Sequence, residues 1–274
     1  MNLLIQISDP HFGTEQPPVV EALVSFVRAE APDLVVLSGD ITQRARKPQV
    51  RAARAFVDRL GVPALLAIPG NHDIPLLDAA SRLFKPYANF RHAFGHELEP
   101  MFESERLLAI ALNTTRRYRH ANGEVSKAQI ERVASRLERA TASQLRLVIV
   151  HQPVCVIRPE DEVNLLRGHR RAVRRWAAAG ADLIMGGHIH LPYVRALHER
   201  YGDLPRRAWA VQAGTAVSRR VRDGAGNSVN LLRYGGPGPH RQCTIERWDF
   251  HTATQEFARV AVDELRFDTV DAAH

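Results

Sequence analysis

The chain has 274 residues, of which 45% are hydrophobic and 24% charged, and its formal net charge is +7. These proportions are those of a globular protein and exclude disorder, collagen and coiled coil as descriptions of the whole chain. All but three of the 37 basic residues are arginine, and they are spread along the sequence. Two explanations of this arginine excess stay open: a surface that binds nucleic acid or membrane, and a genome whose base composition favours arginine codons. We favour the second because charge alone does not specify function.

The two cysteines, Cys155 and Cys243, lie far apart and form no CxxC motif. This usage indicates a reducing compartment, with a disulfide between them as the minor alternative. The N-terminal apolar stretch is too short for a signal peptide and lacks a basic segment before it. No run of apolar residues reaches the length of a transmembrane helix, so we expect a cytoplasmic protein.

Short apolar runs that end at polar or glycine-rich turns predict buried strands. They are Leu3–Ser8, Leu34–Gly39, Ala64–Gly70, Leu107–Asn113, Arg146–His151 and Ala181–Gly187. Amphipathic stretches between them predict helices at Val19–Glu30, Pro48–Leu60, Ser126–Ala140 and Leu165–Ala179.

The last third of the chain reads differently, as strands joined by turns without a long helix. The predicted strands are Ala208–Thr215, Ser228–Tyr234, Cys243–Phe250 and Glu256–Leu265. Strand–helix alternation followed by antiparallel strands predicts an α/β sandwich of two sheets with helices outside. We expect a single domain over residues 1–268 and a disordered tail at 269–274.

Side chains that bind metals recur where five of the predicted strands end. The residues are Asp9 and His11, Asp40, then Asn71, His72 and Asp73, then His151, and finally His188 and His190. Each alone has an ordinary explanation, such as a helix cap or an Asx turn. Ligand sites in α/β sheets form outside the carboxyl ends of strands, so the recurrence predicts one site.

The ligand types indicate which metal this site would take. Mixed carboxylate, imidazole and amide oxygen suit manganese, iron or zinc better than magnesium or calcium, and the absence of cysteine argues against structural zinc. Two such ions about 3.5–4 Å apart clamp a phosphoryl group and generate hydroxide at neutral pH.

The ordered series Asp9-x-His11, Gly39-Asp40, Gly70–Asp73, His151 and Gly187-His188-x-His190 resembles the signature of calcineurin-like metallophosphoesterases. The resemblance implies a four-layer αββα sandwich, with two mixed sheets flanked by helices. It also implies two metal ions, manganese or iron and less readily zinc. Asp9, His11 and His190 would hold the first, Asn71, His151 and His188 the second, and Asp40 would bridge them.

The resemblance further implies a metal-dependent phosphoric ester hydrolase in which a metal-bridging hydroxide attacks phosphorus. His72 would not bind metal but would face the substrate phosphate and protonate the leaving oxygen. Asp73 would orient the groups around it. Asn71 would also contact substrate.

Within that family, the sequence further resembles the class III cyclic nucleotide phosphodiesterases and glycerophosphodiesterases. Short matches at Gly123–Ser126, Ala213–Ala216 and Asn227–Asn230 support this. A small phosphodiester is therefore the expected substrate, with cyclic nucleotides leading. Relatives in that branch form homodimers, which leaves a homodimer open here.

Two arginine-rich segments are candidates for contacts outside the metals. A loop with Arg116, Arg117 and His120 follows a predicted strand end and is expected to bind the substrate phosphate, with an ordinary surface loop as the alternative. The segment Arg167–Arg175 would suit an anionic membrane or a polyphosphate, or would be a solvated helix face. The alternative functions are a phospholipid or nucleotide-lipid pyrophosphohydrolase and a phosphomonoesterase. A nuclease, other nucleic-acid binding and a non-catalytic scaffold are less favoured.

Overall fold

The computed structural model describes residues 2–76, 78–119, 121–222, 224–235 and 243–268. The strands are β1 (Asn2–Ile7), β2 (Leu34–Ser38), β3 (Leu65–Ile68), β4 (Met101–Glu103), β5 (Leu107–Ala111), β6 (Leu145–Ile149), β7 (Leu183–Gly186), β8 (Tyr193–Ala196), β9 (Trp209–Gln212), β10 (Ser228–Tyr234), β11 (Cys243–His251) and β12 (Glu256–Leu265). The helices are α1 (Pro17–Glu30), α2 (Lys47–Leu60), α3 (Ala79–Phe84), α4 (Ala88–Phe94), α5 (Lys127–Leu137), α6 (His169–Ala178) and α7 (Leu197–Tyr201).

The strands form two six-stranded mixed sheets. The first has the order β12-β11-β10-β1-β2-β3, in which β1, β2 and β3 run parallel and β10 to β12 continue antiparallel. The second has the order β4-β5-β6-β7-β9-β8, with four parallel central strands and an antiparallel strand at each edge. The carboxyl ends of β1, β2, β3, β6 and β7 therefore open onto shared sheet edges.

The two faces of each sheet bury different partners, because successive residues of a strand point to opposite sides. In β1, Leu3 and Ile5 pack with α1 and α2, whereas Leu4 packs between the sheets with residues of the second sheet such as Leu147. The outer face of the second sheet packs against α5 and α6, where Trp176 is fully buried. The order of layers is therefore helix, sheet, sheet, helix, which confirms the αββα sandwich.

Every predicted strand is present, although several end one or two residues earlier than expected because the polar residues that follow them occupy turns. The fourth predicted helix begins at His169 rather than Leu165, since residues 159–164 form a 3₁₀ helix and Gly168 adopts a φ of 90°. Short elements that the sequence pattern did not predict are α3, α4, α7, β4 and β8. The expected tail at 269–274 lies outside the described residues.

The two cysteines are buried as free thiols in different cores. Cys155 packs in the core beneath α5 and α6, and Cys243 lies between the sheets. The alternative of a disulfide between them is therefore excluded. Within the described ranges, no helix combines the length and apolar character that crossing a membrane requires.

Candidate metal centre

The turns at the carboxyl edge bring the predicted metal-binding residues of both sheets together. Those that follow β1 and β2 meet the imidazoles that follow β6 and β7. Three overlapping sets have ligand atoms that all lie within 4.8 Å of one another. The sets are Asp9, His11 and His190; His11, Asp40 and His72; and Asp40, His151 and His188.

Asp9 and two imidazoles form the first group. The Nε2 atom of His190 lies 3.3 Å from Oδ1 of Asp9, and Nε2 of His11 lies 3.8 Å from the same oxygen. The two Nε2 atoms are 3.1 Å apart. All three side chains converge on one point, as the ligands of one ion do.

Asp40 joins the first group to the second. Its Oδ1 lies 3.3 Å from Nε2 of His151, and its Oδ2 lies 3.8 Å from Nε2 of His11. The two oxygens of one buried carboxylate thus face different groups of imidazoles. This arrangement suits a carboxylate that bridges two ions.

A metal would satisfy polar atoms that lack a partner. Among the described residues, the buried side-chain atoms with no hydrogen-bond partner include Asp9 Oδ1, Asn71 Oδ1, His151 Nε2 and His188 Nδ1. Buried polar atoms are almost always paired, so these orphans need an explanation. Three of them belong to the ligand sets, and Asn71 precedes His72, whose N–H donates to Asp40 Oδ1. Each of the four is an atom type that binds manganese, iron or zinc, and the residues therefore fit the predicted ions.

Backbone carbonyls orient three of the imidazoles. The Nδ1 atoms of His151, His190 and His72 lie 2.8 Å from Ser38 O, 2.5 Å from Arg220 O and 2.9 Å from Gln43 O. A carbonyl oxygen only accepts, so each Nδ1 donates its proton and each Nε2 keeps a lone pair in the neutral ring. Such contacts fix the tautomer of a metal ligand.

The turns that carry these residues are strained. Asp9, His11, Asp40, His188 and His190 all have positive φ, between 44° and 75°. This left-handed region is uncommon for residues other than glycine, and it persists at functional sites where the surroundings enforce it.

The turns also need glycine beside them. A Cβ on Gly70 would lie 2.1 Å from the backbone nitrogen of Asp40, which no adjustment of a side chain relieves. The two loops can therefore approach this closely only because residue 70 has no side chain.

Burial and the two carboxylates set the protonation of the site. Burial lowers the pKa of His11 to about 3 and that of His188 to about 4, so both rings are neutral near pH 7, as metal binding requires. Burial opposes ionisation of Asp9, but His190 lowers its pKa to about 2. Burial also opposes protonation of His151, yet Asp40 raises its pKa to about 9. The carboxylate pair thus attracts positive charge.

Asp73 binds the backbone of the turns that follow β2 and β3. Its carboxylate accepts hydrogen bonds from the backbone N–H groups of Ile41, Thr42 and Gly70 at 2.7–2.9 Å and from the Thr42 hydroxyl at 2.8 Å. None of these bonds goes to the imidazole of His72. Asp73, grouped with His72 in the resemblance and expected to orient its surroundings, contacts the turns after β2 and β3.

The expected arginine contacts are directed elsewhere. Arg116 donates to the carbonyls of Asn113 and Thr115 and to Gln129 Oε1, at 2.7–3.1 Å, and Arg117 donates to the carbonyl of Leu83 at 2.7 Å. These donors satisfy their own loop and its neighbours, which is a structural role. His120 lies outside the described residues.

In the second arginine-rich segment, Arg174 pairs with Asp203 at 2.7 Å. Arg175 pairs with Glu131 and Glu138, both at 2.8 Å. These pairs are those of a solvated helix face.

Sequence reasoning missed two residues beside the cluster, Arg220 and Gln43. The Nη1 atom of Arg220 lies 3.1 Å from Nε2 of His72 and 3.4 Å from Nδ1 of His11, and it donates to Gln43 Oε1 at 3.1 Å. Its position in the sequence could have indicated Arg220, because this residue follows β9, whose carboxyl end opens onto the same edge.

Comparison with known proteins settles the family. The family model described as calcineurin-like phosphoesterase matches residues 3–192. The chain belongs to this family. It is a metal-dependent phosphoester hydrolase, and its fold and ligand cluster agree with that assignment.

Two curated relatives carry phosphodiesterase names. A probable cyclic nucleotide phosphodiesterase from Synechococcus is 26% identical over 212 residues, which cover 70% of this chain and 74% of the relative. A probable glycerophosphodiester phosphodiesterase from Arcobacter nitrofigilis is 25% identical over 201 residues, 69% of this chain and 71% of the relative.

Solved structures share the fold. A dimetal phosphatase from Danio rerio superposes with a TM-score of 0.66 at 14% identity, over 97% of this chain and 99% of that chain. A purple acid phosphatase from yellow lupin gives 0.69 at 12% identity, over 94% of this chain and 52% of that chain.

The role of Asp73 predicts a stability effect. Asp73→Asn replaces one acceptor oxygen by an amide that faces backbone donors, so we expect the free energy of unfolding to fall by about 2–4 kcal/mol. Urea unfolding with a chelator present measures this without metal binding. Asp58→Asn on exposed α2 is the matched control, and equal midpoints for the two variants would contradict the role.

Proposed function

We propose that this enzyme hydrolyses a small phosphodiester at a pair of metal ions, with a cyclic nucleotide as the leading substrate. The observation that carries the proposal is the convergence of two imidazole groups on the opposite oxygens of Asp40. A single buried carboxylate between two ligand sets is what a dinuclear centre needs and what a single-ion site does not.

The ligand sets follow from the contacts. One ion would be held by Asp9, His11 and His190, whose ligand atoms lie together. The other would be held by His151, His188 and the orphaned amide oxygen of Asn71. Asp40 would bind both. We propose manganese or iron for the pair, with zinc as an alternative, because the ligand set is mixed oxygen and nitrogen.

When bound, such ions polarise a phosphoryl oxygen and lower the pKa of water. The protein supplies the rest. His72 Nε2 lies 4.0 Å from Asp40 Oδ2, and the side chain is 28% exposed, so a substrate oxygen can reach it. For acid catalysis Nε2 would carry a proton, so Arg220 Nη1, 3.1 Å away, would have to give up its contact with Nε2. Nδ1 would keep its bond to the carbonyl of Gln43 while the Nε2 proton passes to the leaving oxygen.

The names of the two curated relatives favour a diester substrate over a monoester. A membrane-associated pyrophosphohydrolase would need free cations on α6, and two of its four arginines, Arg174 and Arg175, are already paired with carboxylates. The non-catalytic alternative would need a missing ligand, and all the expected ligands are in the sequence.

Asp40→Asn tests the bridging role. The substitution keeps the size of the side chain but removes the charge that faces both groups. We expect loss of bound manganese, measured by elemental analysis, and loss of nearly all turnover. Asp203→Asn, an exposed residue paired with Arg174, should keep both. Full manganese content with substantial activity in Asp40→Asn would show that the carboxylate does not bridge.

His72→Ala separates the general acid from the ligands. Metal content should be unchanged, whereas turnover should fall by about 10²–10⁴-fold, the usual contribution of a positioned acid. The deficit should shrink for substrates with good leaving groups, which need little protonation. The matched control is His251→Ala at the exposed end of β11. Loss of a metal ion in His72→Ala would instead make His72 a ligand.

A substrate panel tests the proposed class. With added manganese, bis(p-nitrophenyl) phosphate should be cleaved faster than p-nitrophenyl phosphate, and cyclic nucleotides faster than glycerophosphodiesters or nucleotide-lipids. Preference for the monoester would identify a phosphatase. Preference for nucleotide-lipids would identify a pyrophosphohydrolase.

A further inference from the structure

Arg220 places a positive charge beside the metal centre on an exposed side chain. Its Nη1 contacts two imidazole nitrogens and Gln43, whereas Nε and Nη2 make no hydrogen bond to any described residue. No carboxylate of the described ranges forms an ion pair with it. By contrast Arg222, two residues later, pairs with Asp161 at 2.8 Å.

The backbone of Arg220 is fixed to the metal-binding turns. Its N–H donates to Ser218 Oγ at 3.1 Å, and its carbonyl accepts from His190 Nδ1 at 2.5 Å. Ser218 Oγ lies 2.7 Å from Thr215 Oγ1, which donates to the carbonyl of Asp9 at 2.6 Å. Hydrogen bonds that lead to His190 and Asp9 therefore hold the backbone of Arg220 in place.

We propose that Arg220 binds a non-bridging oxygen of the substrate phosphate on the His72 side of the centre. This inference rests on the proposed function and deepens it, because it adds the Arg220 side chain to the two metal ions as a third positive charge at the site. Nε and Nη2, which bond to no described residue, form a planar fork that suits phosphate oxygen. Nη1 can keep its bond to Gln43 at the same time.

A purely structural role explains the geometry less well. Guanidinium stays charged at every relevant pH, and the two imidazole nitrogens and the Gln43 amide oxygen offer it no negative charge. The metal ligand His190 uses the backbone carbonyl of residue 220, so the side chain is not needed to orient it. A phosphate anion would supply the negative partner that the described residues do not provide.

Phosphate binding by the manganese-loaded full chain tests the proposal, with inorganic phosphate as the probe in titration calorimetry. Arg220→Ala should weaken phosphate binding about 10- to 100-fold, the loss expected for hydrogen bonds to a charged group. The phosphate affinity of Arg220→Lys should lie between those of the parent protein and Arg220→Ala, since lysine keeps the charge but not the fork. Arg219→Ala is the matched control, because it removes the same charge from the exposed neighbour and should leave affinity unchanged.

Manganese content should stay the same in all three variants. Unchanged phosphate affinity in Arg220→Ala would overturn the proposal, as would loss of manganese from both Arg220 variants. The same substitution in a His72→Ala background separates direct binding from an effect through His72. A direct contact predicts the same fold-loss in both backgrounds, and disappearance of the loss would make Arg220 a positioning residue.

The outcome is distinguishable from failure of the proposed function. If Arg220→Ala loses phosphate affinity while the parent protein cleaves no diester, the anion contact stands and the substrate class is wrong. If the parent cleaves diesters and Arg220→Ala retains its KM, the function stands and the contact is wrong.

Discussion

Two buried carboxylates at one edge of the sandwich impose the main constraint on this structure. Asp9 is fully buried and Asp40 is 2% exposed, and both keep their pKa below the ordinary value despite burial, which opposes ionisation. Two desolvated negative charges so close together repel, and only nearby positive charge offsets that cost. The imidazoles that surround the two carboxylates, and the turns that carry them, meet this requirement.

The surrounding loops hold the ligands through the backbone. Carbonyls of Ser38, Gln43 and Arg220 each fix an imidazole, and Asp73 ties the turns after β2 and β3 together. Both sheets contribute, so the packing between them determines the distances at the site. A polar link beneath the centre, in which Gln6 donates to Ser38 Oγ and to the carbonyl of Gly186, joins the sheets at that depth.

The sequence was sufficient for the layers, because they depend on local pattern. The structure also brings together the His and Asp side chains that the sequence proposed as metal ligands. When an apolar strand is followed directly by Asp, Asn or His, the local sequence alone predicts that this residue lies at the edge of the sheet. Helix α3 was missed because it has no buried residue and so no apolar period. Arg116 and Arg220 show the other limit: both follow strands at the same edge, but tertiary hydrogen bonds direct the first to Gln129 and the second to His72.

Metal-specific anomalous diffraction from crystals grown with manganese tests the central claim most directly. The account predicts two peaks, one beside Asp9, His11 and His190 and one beside Asn71, His151 and His188, with the Asp40 carboxylate in contact with both. A single peak, or a peak in contact with His72 instead of Asn71, would contradict it.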